Sequence, residues 1–209
     1  MPFTPPPDLR TPRLQLRAWT PADAPALAAT LSASDAHLRT WTPWVVDGPE
    51  PGLSLEDRLA RHAAAFESGA EWVYGIFLPG SAAVVGGCGL YPRLGPGALE
   101  IGYWLAAAHT GRGFATEATA ALVHVAFTSP AIERVELHCD PNNHTSVAVP
   151  RRLGLTHVTT VAAKPRTAGA APAVLAVWQL TRPAYEARRV ARDLAAEDPL
   201  WEQTRHSTR

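Results

Sequence analysis

The residues best suited to chemistry lie in Tyr103-Trp-Leu-Ala-Ala-Ala-His-Thr-Gly-Arg-Gly-Phe-Ala-Thr-Glu-Ala118, where a strand pattern passes through two glycines into a helical pattern. Such a junction exposes backbone N–H groups at the positive end of a helix dipole, which suits a phosphate group. Gly111 and Gly113 let the backbone approach an anion closely and take positive φ, and Arg112 adds a cation. A P-loop would need Gly-Lys-Ser/Thr after four spacer residues, and the sequence has none. A dinucleotide fingerprint would need a third glycine where Thr116 stands. Glu133, 20 residues after Gly113, opens a strand where the fingerprint needs an acid closing one. A dinucleotide-binding oxidoreductase is therefore disfavoured. A plain glycine turn before a core helix stays open on spacing alone.

Two other clusters invite chemistry. His138-Cys139-Asp140 has the residue types of a nucleophilic site. Successive strand residues point to opposite faces, so His138 cannot readily orient the adjacent Cys139, which is expected to be a small buried residue. The eight histidines show no zinc-type spacing with cysteine partners, and no metal is expected. Trp41 and Trp44 sit among prolines in an expected loop, where an aromatic pair can either wall an acceptor pocket or pack in the core.

The elements that must position these residues follow from periodicity. Residues 1–8 are proline-rich and expected to be a flexible segment. Residues 13–19 alternate polar and apolar as a half-buried strand does. A helix is expected over 20–31 with proline at its first position, and a second from Ser54 with Leu55, Leu59, Ala63 and Phe66 on one stripe. Residues 72–78 and 83–90 read as a hairpin, 98–105 as a third strand, and 113–127 as a helix ended by Ser129-Pro130. A strand over 132–139, a short helix over 145–153 closed by Gly154, two strands over 156–163 and 173–180, and a polar helix from 184 complete the chain. The two last strands flank a Gly/Ala/Pro loop. Pro150 inside the short helix should kink it or confine its regular part. The order predicts one α+β domain with a mixed sheet.

Glu100-Ile-Gly-Tyr-Trp-Leu105, Gly111-Arg-Gly-Phe-Ala-Thr-Glu-Ala118, Asp140-Pro-Asn-Asn-His-Thr-Ser146 and Arg152-Leu-Gly-Leu155 occur in the order found in GNAT N-acetyltransferases. Together with the start Leu9-Arg-Thr-Pro-Arg-Leu-Gln-Leu-Arg17 and the Trp41/Trp44 segment, they resemble the branch that acetylates alanine or serine termini of ribosomal proteins. The resemblance covers residues 9–182, leaving 183–209 as a C-terminal helix and tail. It implies a twisted mixed sheet with helices on both faces and a V-shaped opening between the strands 98–105 and 132–139. It implies acetyl-CoA as co-substrate, with the pyrophosphate on Thr110, Gly111, Arg112, Gly113, Phe114, Ala115 and Thr116. Thr110 replaces the family's usual Gln or Arg, which removes a long polar side chain and leaves the backbone donors. Asn143 and Ser146 are implied at the pantetheine arm and thiol, and backbone amides near Trp104 and Leu105 at the acetyl carbonyl. Transfer to a primary amine needs a neutral nucleophile and a proton for the departing thiolate. Glu100 is expected to take the amine's proton directly or through water, the alternative being a solvated or Arg-paired strand end. Ser146 is expected to donate toward the sulfur, the alternative being a cap of the short helix.

Composition narrows the partners. Lys and Arg number 19 and Asp and Glu 19, a balance that gives no footprint for nucleic acid or an anionic membrane. With 46% hydrophobic residues the chain can bury a core. Two cysteines give no disulfide framework, and residues 1–8 show no charged segment followed by an apolar one. A cytoplasmic protein without a signal peptide is the expectation. Oligomeric state, a homodimer included, and the identity of the amine are not legible. A non-catalytic acyl-CoA-binding module is the competing reading, since a fold can keep its ligand and lose its chemistry.

Overall fold

Turn residues and period-two alternation set most of the sheet. The computed structural model describes residues 3–47, 52–163 and 173–197. β1 (Asp8–Arg10) and β2 (Gln15–Ala18) form a hairpin, and β2 pairs with β3 (Trp72–Phe77). β4 (Val84–Tyr91) and β5 (Ala98–Leu105) continue the antiparallel run. β5 then pairs in parallel with β6 (Arg134–Cys139), and β6 pairs antiparallel with β8 (Ala173–Thr181), whose other neighbour is β7 (Thr156–Ala163). The result is one mixed sheet of eight strands in the order β1-β2-β3-β4-β5-β6-β8-β7.

Helices cover both faces. A 3-10 turn at Pro21–Asp23 leads into α1 (Ala24–Ala33), followed by α2 (Asp35–Trp41), α3 (Pro43–Asp47) and α4 (Leu55–Ser68). Leu27, Leu31, Leu38, Val45 and Leu59 of these helices pack with Trp19, Val73, Phe77 and Val84 in one apolar cluster. On the other face lie α5 (Phe114–Thr128), α6 (His144–Leu153) and α7 (Arg182–Glu197). Phe114, Ala118, Leu122, Val147 and Val149 pack there on Leu99, Ile101, Val135, Leu137, Trp178 and Leu180. No helix among the described residues is long and apolar enough to cross a membrane.

One expectation is corrected. Residues 41–44 are not a loop: Pro43 opens α3 as a first-turn proline, and buried Leu38 and Val45 anchor both short helices. Residues 3–8 make contacts with the sheet. The Phe3 ring meets Trp72 edge-on at 4.8 Å, Tyr74 Oη donates to the Pro6 carbonyl, and Asp8 pairs with Arg17. The C-terminal helix forms as α7, with Arg182 donating to the carbonyls of Phe127 and Ile132 and Tyr185 stacking on Phe127. The expected Gly/Ala/Pro loop between β7 and β8 and the tail past 197 lie outside the described residues.

Candidate active site

The glycine loop forms as its sequence demands. Gly111 and Gly113 have φ of +73° and +78°, a region that only glycine adopts without strain, and Gly113 is the N-cap of α5. Among the described residues, the backbone N–H groups of 111 through 116 donate to no protein acceptor, whereas that of Glu117 bonds the Gly113 carbonyl. A Cβ at Gly111 would meet nothing within 4 Å, so this backbone faces open space. A cavity of about 400 Å³ lies against it, lined by Gly111, Gly113, Thr116, Glu117, Ala120 and Arg152. Arg152 also lines a second cavity of about 480 Å³ beside Pro141, His144 and Arg151 of α6 and its approach. Unpaired amides at a helix N-terminus with guanidinium groups beside them form a donor set that fits a pyrophosphate.

The loop is held from the far end of the sheet. Arg13 Nε donates to Glu117 Oε2 at 2.6 Å, Arg13 N and Thr11 Oγ1 donate to Glu117 Oε1, and Arg13 Nη1 donates to the Arg112 carbonyl at 3.0 Å. Burial alone would raise the Glu117 carboxyl, but the Thr11 hydroxyl and Arg13 leave it below the ordinary glutamate value. This clamp is absent from the sequence reading, since a contact between β2's approach and α5 has no local signal.

The V-shaped opening follows from the register. The parallel β5–β6 ladder ends at Ile101↔Leu137, whereas Gly102 to Leu105 pair only with β4. Alternate residues of that stretch turn their backbone groups to the gap: the Ala106 N–H bonds the Val85 carbonyl on the β4 side, so Trp104 also faces β4 and Leu105 faces the gap. Beyond β5, the Ala107 N–H donates to Ser34 Oγ, which fixes the α1–α2 junction beside the mouth. Trp41 is half-buried at the end of α2. The side chain of Trp44 lies outside the described residues. Among the described residues no hydrogen bond or ring contact joins Trp41 to Glu100 or Ser146.

On the α5 side of the gap stand Asn143 and Ser146. Asn143 Oδ1 accepts from Ser146 N at 3.0 Å and from Thr145 Oγ1, so Asn143 is the N-cap of α6 and Ser146 keeps its hydroxyl for other work. Pro150 lies inside α6 and has no N–H to give the Ser146 carbonyl four residues back. Tyr103 of β5 supplies that donor. Its hydroxyl bonds the Ser146 carbonyl at 3.1 Å and lies 2.9 Å from Ser146 Oγ. Burial pushes the Tyr103 hydroxyl up, so it remains neutral. Tyr103 was legible only as a strand residue, although a mid-helix proline does announce an orphaned carbonyl. Cys139 is buried as expected, and burial raises its thiol.

The opposite face of the same strands is charged. Alternation turns Glu100, Glu136 and His138 away from the α5 core, and β6 shows it as half-buried and buried residues in turn. Glu100 is buried, with both oxygens held by Arg93: Nε donates to Oε2 at 2.7 Å and Nη2 donates to Oε1. That pairing engages both carboxylate oxygens with the Arg93 guanidinium. His138 Nε2 lies 2.9 Å from Glu136 Oε2, and its Nδ1 is 3.8 Å from Glu100 Oε2. Arg134 and Gln179 donate to Glu136 Oε1. Burial would raise the Glu136 carboxyl, but His138, Arg134 and Gln179 bring it below its ordinary value. The described residues contain no group of three or more His, Cys, Asp and Glu side chains placed to hold a metal ion.

Comparison with known proteins agrees with this geometry. The acetyltransferase (GNAT) domain family matches residues 13–156. A probable N-acetyltransferase of Bacillus subtilis (strain 168), YjcK, is 32% identical over 100 residues, which are 46% of this chain and 55% of that protein's length. The matched stretch thus spans about half of that relative. Two solved structures share the fold. The microcin C7 self-immunity acetyltransferase MccE, in complex with acetyl-CoA and AMP, superposes with a TM-score of 0.70 at 16% identity, covering 82% of this chain and 93% of that one. RimL, a ribosomal L7/L12 α-N-protein acetyltransferase in complex with coenzyme A, gives 0.69 at 21% identity, covering 83% and 97%.

Proposed function

The chain belongs to the acetyltransferase (GNAT) family, and we propose that it moves an acetyl group from acetyl-CoA directly to a primary amine within a ternary complex. The observation that carries this reading is the two-sided opening between β5 and β6: unpaired amides and a hydroxyl pair on one side, acidic groups and an imidazole on the other. Bound acetyl-CoA supplies an activated thioester at that opening.

The chain's own groups do the rest. The N–H groups of residues 111–116, with Thr110 at their head and Arg112 and Arg152 beside them, hold the pyrophosphate. Asn143 fixes the first turn of α6 and so the place of Ser146. Ser146, backed by Tyr103, gives a proton to the departing sulfur. The backbone amide of Leu105, which the register turns to the gap, receives the carbonyl oxygen as charge develops on it, whereas that of Trp104 turns to β4. Glu100, locked by Arg93, supplies fixed negative charge that favours a cationic acceptor. Trp41, half-buried at the end of α2, borders the route by which the acceptor arrives, and the sequence's other candidate there, Trp44, has its side chain outside the described residues. RimL's activity on a protein α-amine supports an amino-terminal acceptor here.

Direct transfer is tested by intact mass after rapid mixing with acetyl-CoA alone. An unmodified chain is expected, with no free thiol until an amine is added. An acetylated chain formed at the rate of turnover would replace this reading with a two-step route through an enzyme nucleophile.

A further inference from the structure

We infer that His138, with Glu136 as its positioning residue, takes the proton from the acceptor's ammonium group. This assignment rests on the acetyl-transfer reading and replaces the role the sequence suggested for Glu100. An α-amine has a pKa near 8 and a lysine amine near 10.4, so most acceptor arrives protonated at neutral pH and cannot attack until it loses a proton.

Three observations point to His138. Nε2 lies 2.9 Å from Glu136 Oε2, and an ionised carboxylate can only accept, so in the neutral imidazole Nε2 carries the hydrogen and Nδ1 the lone pair. Nδ1 lies 3.8 Å from Glu100 Oε2, beyond hydrogen-bond reach, so no carboxylate commits it. His138 also stands one residue past the last β5–β6 pair, on the face opposite α5, where the two strands begin to part.

The imidazolium formed by proton uptake lies between two carboxylates. Every charged group facing it counts: Glu100 from β5, Arg93 from the turn before β5, and Arg134 and Glu136 from β6. From β8 come the neutral Gln179 and, in register with His138, the apolar Val177. Two acids and two guanidiniums thus surround it, and Glu71 acts electrostatically on Arg93 as well. Its side chain is 15% exposed, which leaves a route for that proton to solvent.

In the step itself an N–H bond of the ammonium breaks, the proton passes to Nδ1, and the electron pair stays on nitrogen for attack. Of the two protons the nitrogen sheds, one leaves through His138 and the other ends on the sulfur.

The test compares pH profiles of kcat/KM for an amine acceptor in the parent, His138→Gln and His138→Asn. Without the imidazole the rate should follow the fraction of neutral amine, so the loss is at least about tenfold at pH 7 and shrinks toward the amine's own pKa. Glu136→Gln should give a smaller loss of the same shape. Acetyl-CoA affinity, governed by the other face, should stay within about twofold in all variants, which also certifies their folding. Imidazole nitrogen NMR of the ligand-free protein provides an independent reading, and the Nε2–H tautomer is expected. Parallel profiles, or an Nδ1–H tautomer, overturn the assignment while leaving acetyl transfer intact. A parent protein that acetylates no amine overturns both.

Discussion

Pro150→Ala tests the contact that places Tyr103 beside Ser146. Alanine brings an N–H aimed at the Ser146 carbonyl and so competes with the Tyr103 hydroxyl. A proline in a helix interior costs about 3 kcal/mol relative to alanine. Two effects offset that gain. Pro150 is buried and alanine lacks two of its ring methylenes, a loss of about 1.6 kcal/mol at about 0.8 per methylene. The displaced Tyr103 bond is worth about 1 kcal/mol. Stability should therefore change by less than about 1 kcal/mol, or no more than about 4 °C in Tm. In a Tyr103→Phe background the carbonyl has no donor to lose, so the same substitution should stabilise by about 1 kcal/mol more than in the parent. Urea unfolding of the four proteins measures that coupling. Turnover should fall in both single variants, and Pro150→Ala should add nothing once Tyr103 is Phe. Stability changes that add within about 0.5 kcal/mol would refute the shared carbonyl.

Gly113→Val forces a β-branched residue to φ +78° and brings side-chain atoms toward the Arg13 guanidinium, so coenzyme A affinity by calorimetry should fall more than tenfold, by the order of 1.4 kcal/mol or more. Arg112→Ala, which leaves the amides in place, should cost less. Glu117→Gln should unfold more easily than the parent at pH 7. Because the folded carboxyl titrates below its ordinary 4.5, its contribution is present above that pH and lost as pH falls through the lower folded value. The two proteins should therefore converge in acid, and a gap in unfolding midpoints that stays constant with pH would contradict the clamp. Glu100→Gln should raise KM for a cationic acceptor more than it lowers kcat, read from initial rates against acceptor concentration.

Much of the architecture was legible because its signals are local. The strands over 98–105 and 132–139, the glycines before α5 and the Ser54 and Gly154 helix ends all recur in the structure. Trp41-Thr-Pro-Trp44 was misread because a proline serves equally as a breaker and as the first residue of a helix, and only the burial of Leu38 and Val45 decides. The site was half legible for a related reason. Asn143, Ser146 and the glycine loop sit in contiguous motifs, whereas Tyr103 with Ser146, Arg13 with Glu117 and Arg93 with Glu100 meet across the sheet or through a turn. Arg134, Glu136 and His138 share one strand face by alternation, but the partner each finds across the sheet has no local signal.

The central claim is that an amine bound against β5 and β6 receives the acetyl group. It is tested most directly by thiol release from acetyl-CoA with a peptide bearing a free α-amine, beside the same peptide with its amine blocked, each product weighed by mass spectrometry. The account predicts thiol release matched one for one by acetylated peptide with the free amine, and none above background with the blocked one. A protein that binds acetyl-CoA yet releases no thiol with α-amine peptides, lysine-side-chain amines or small primary amines would contradict it.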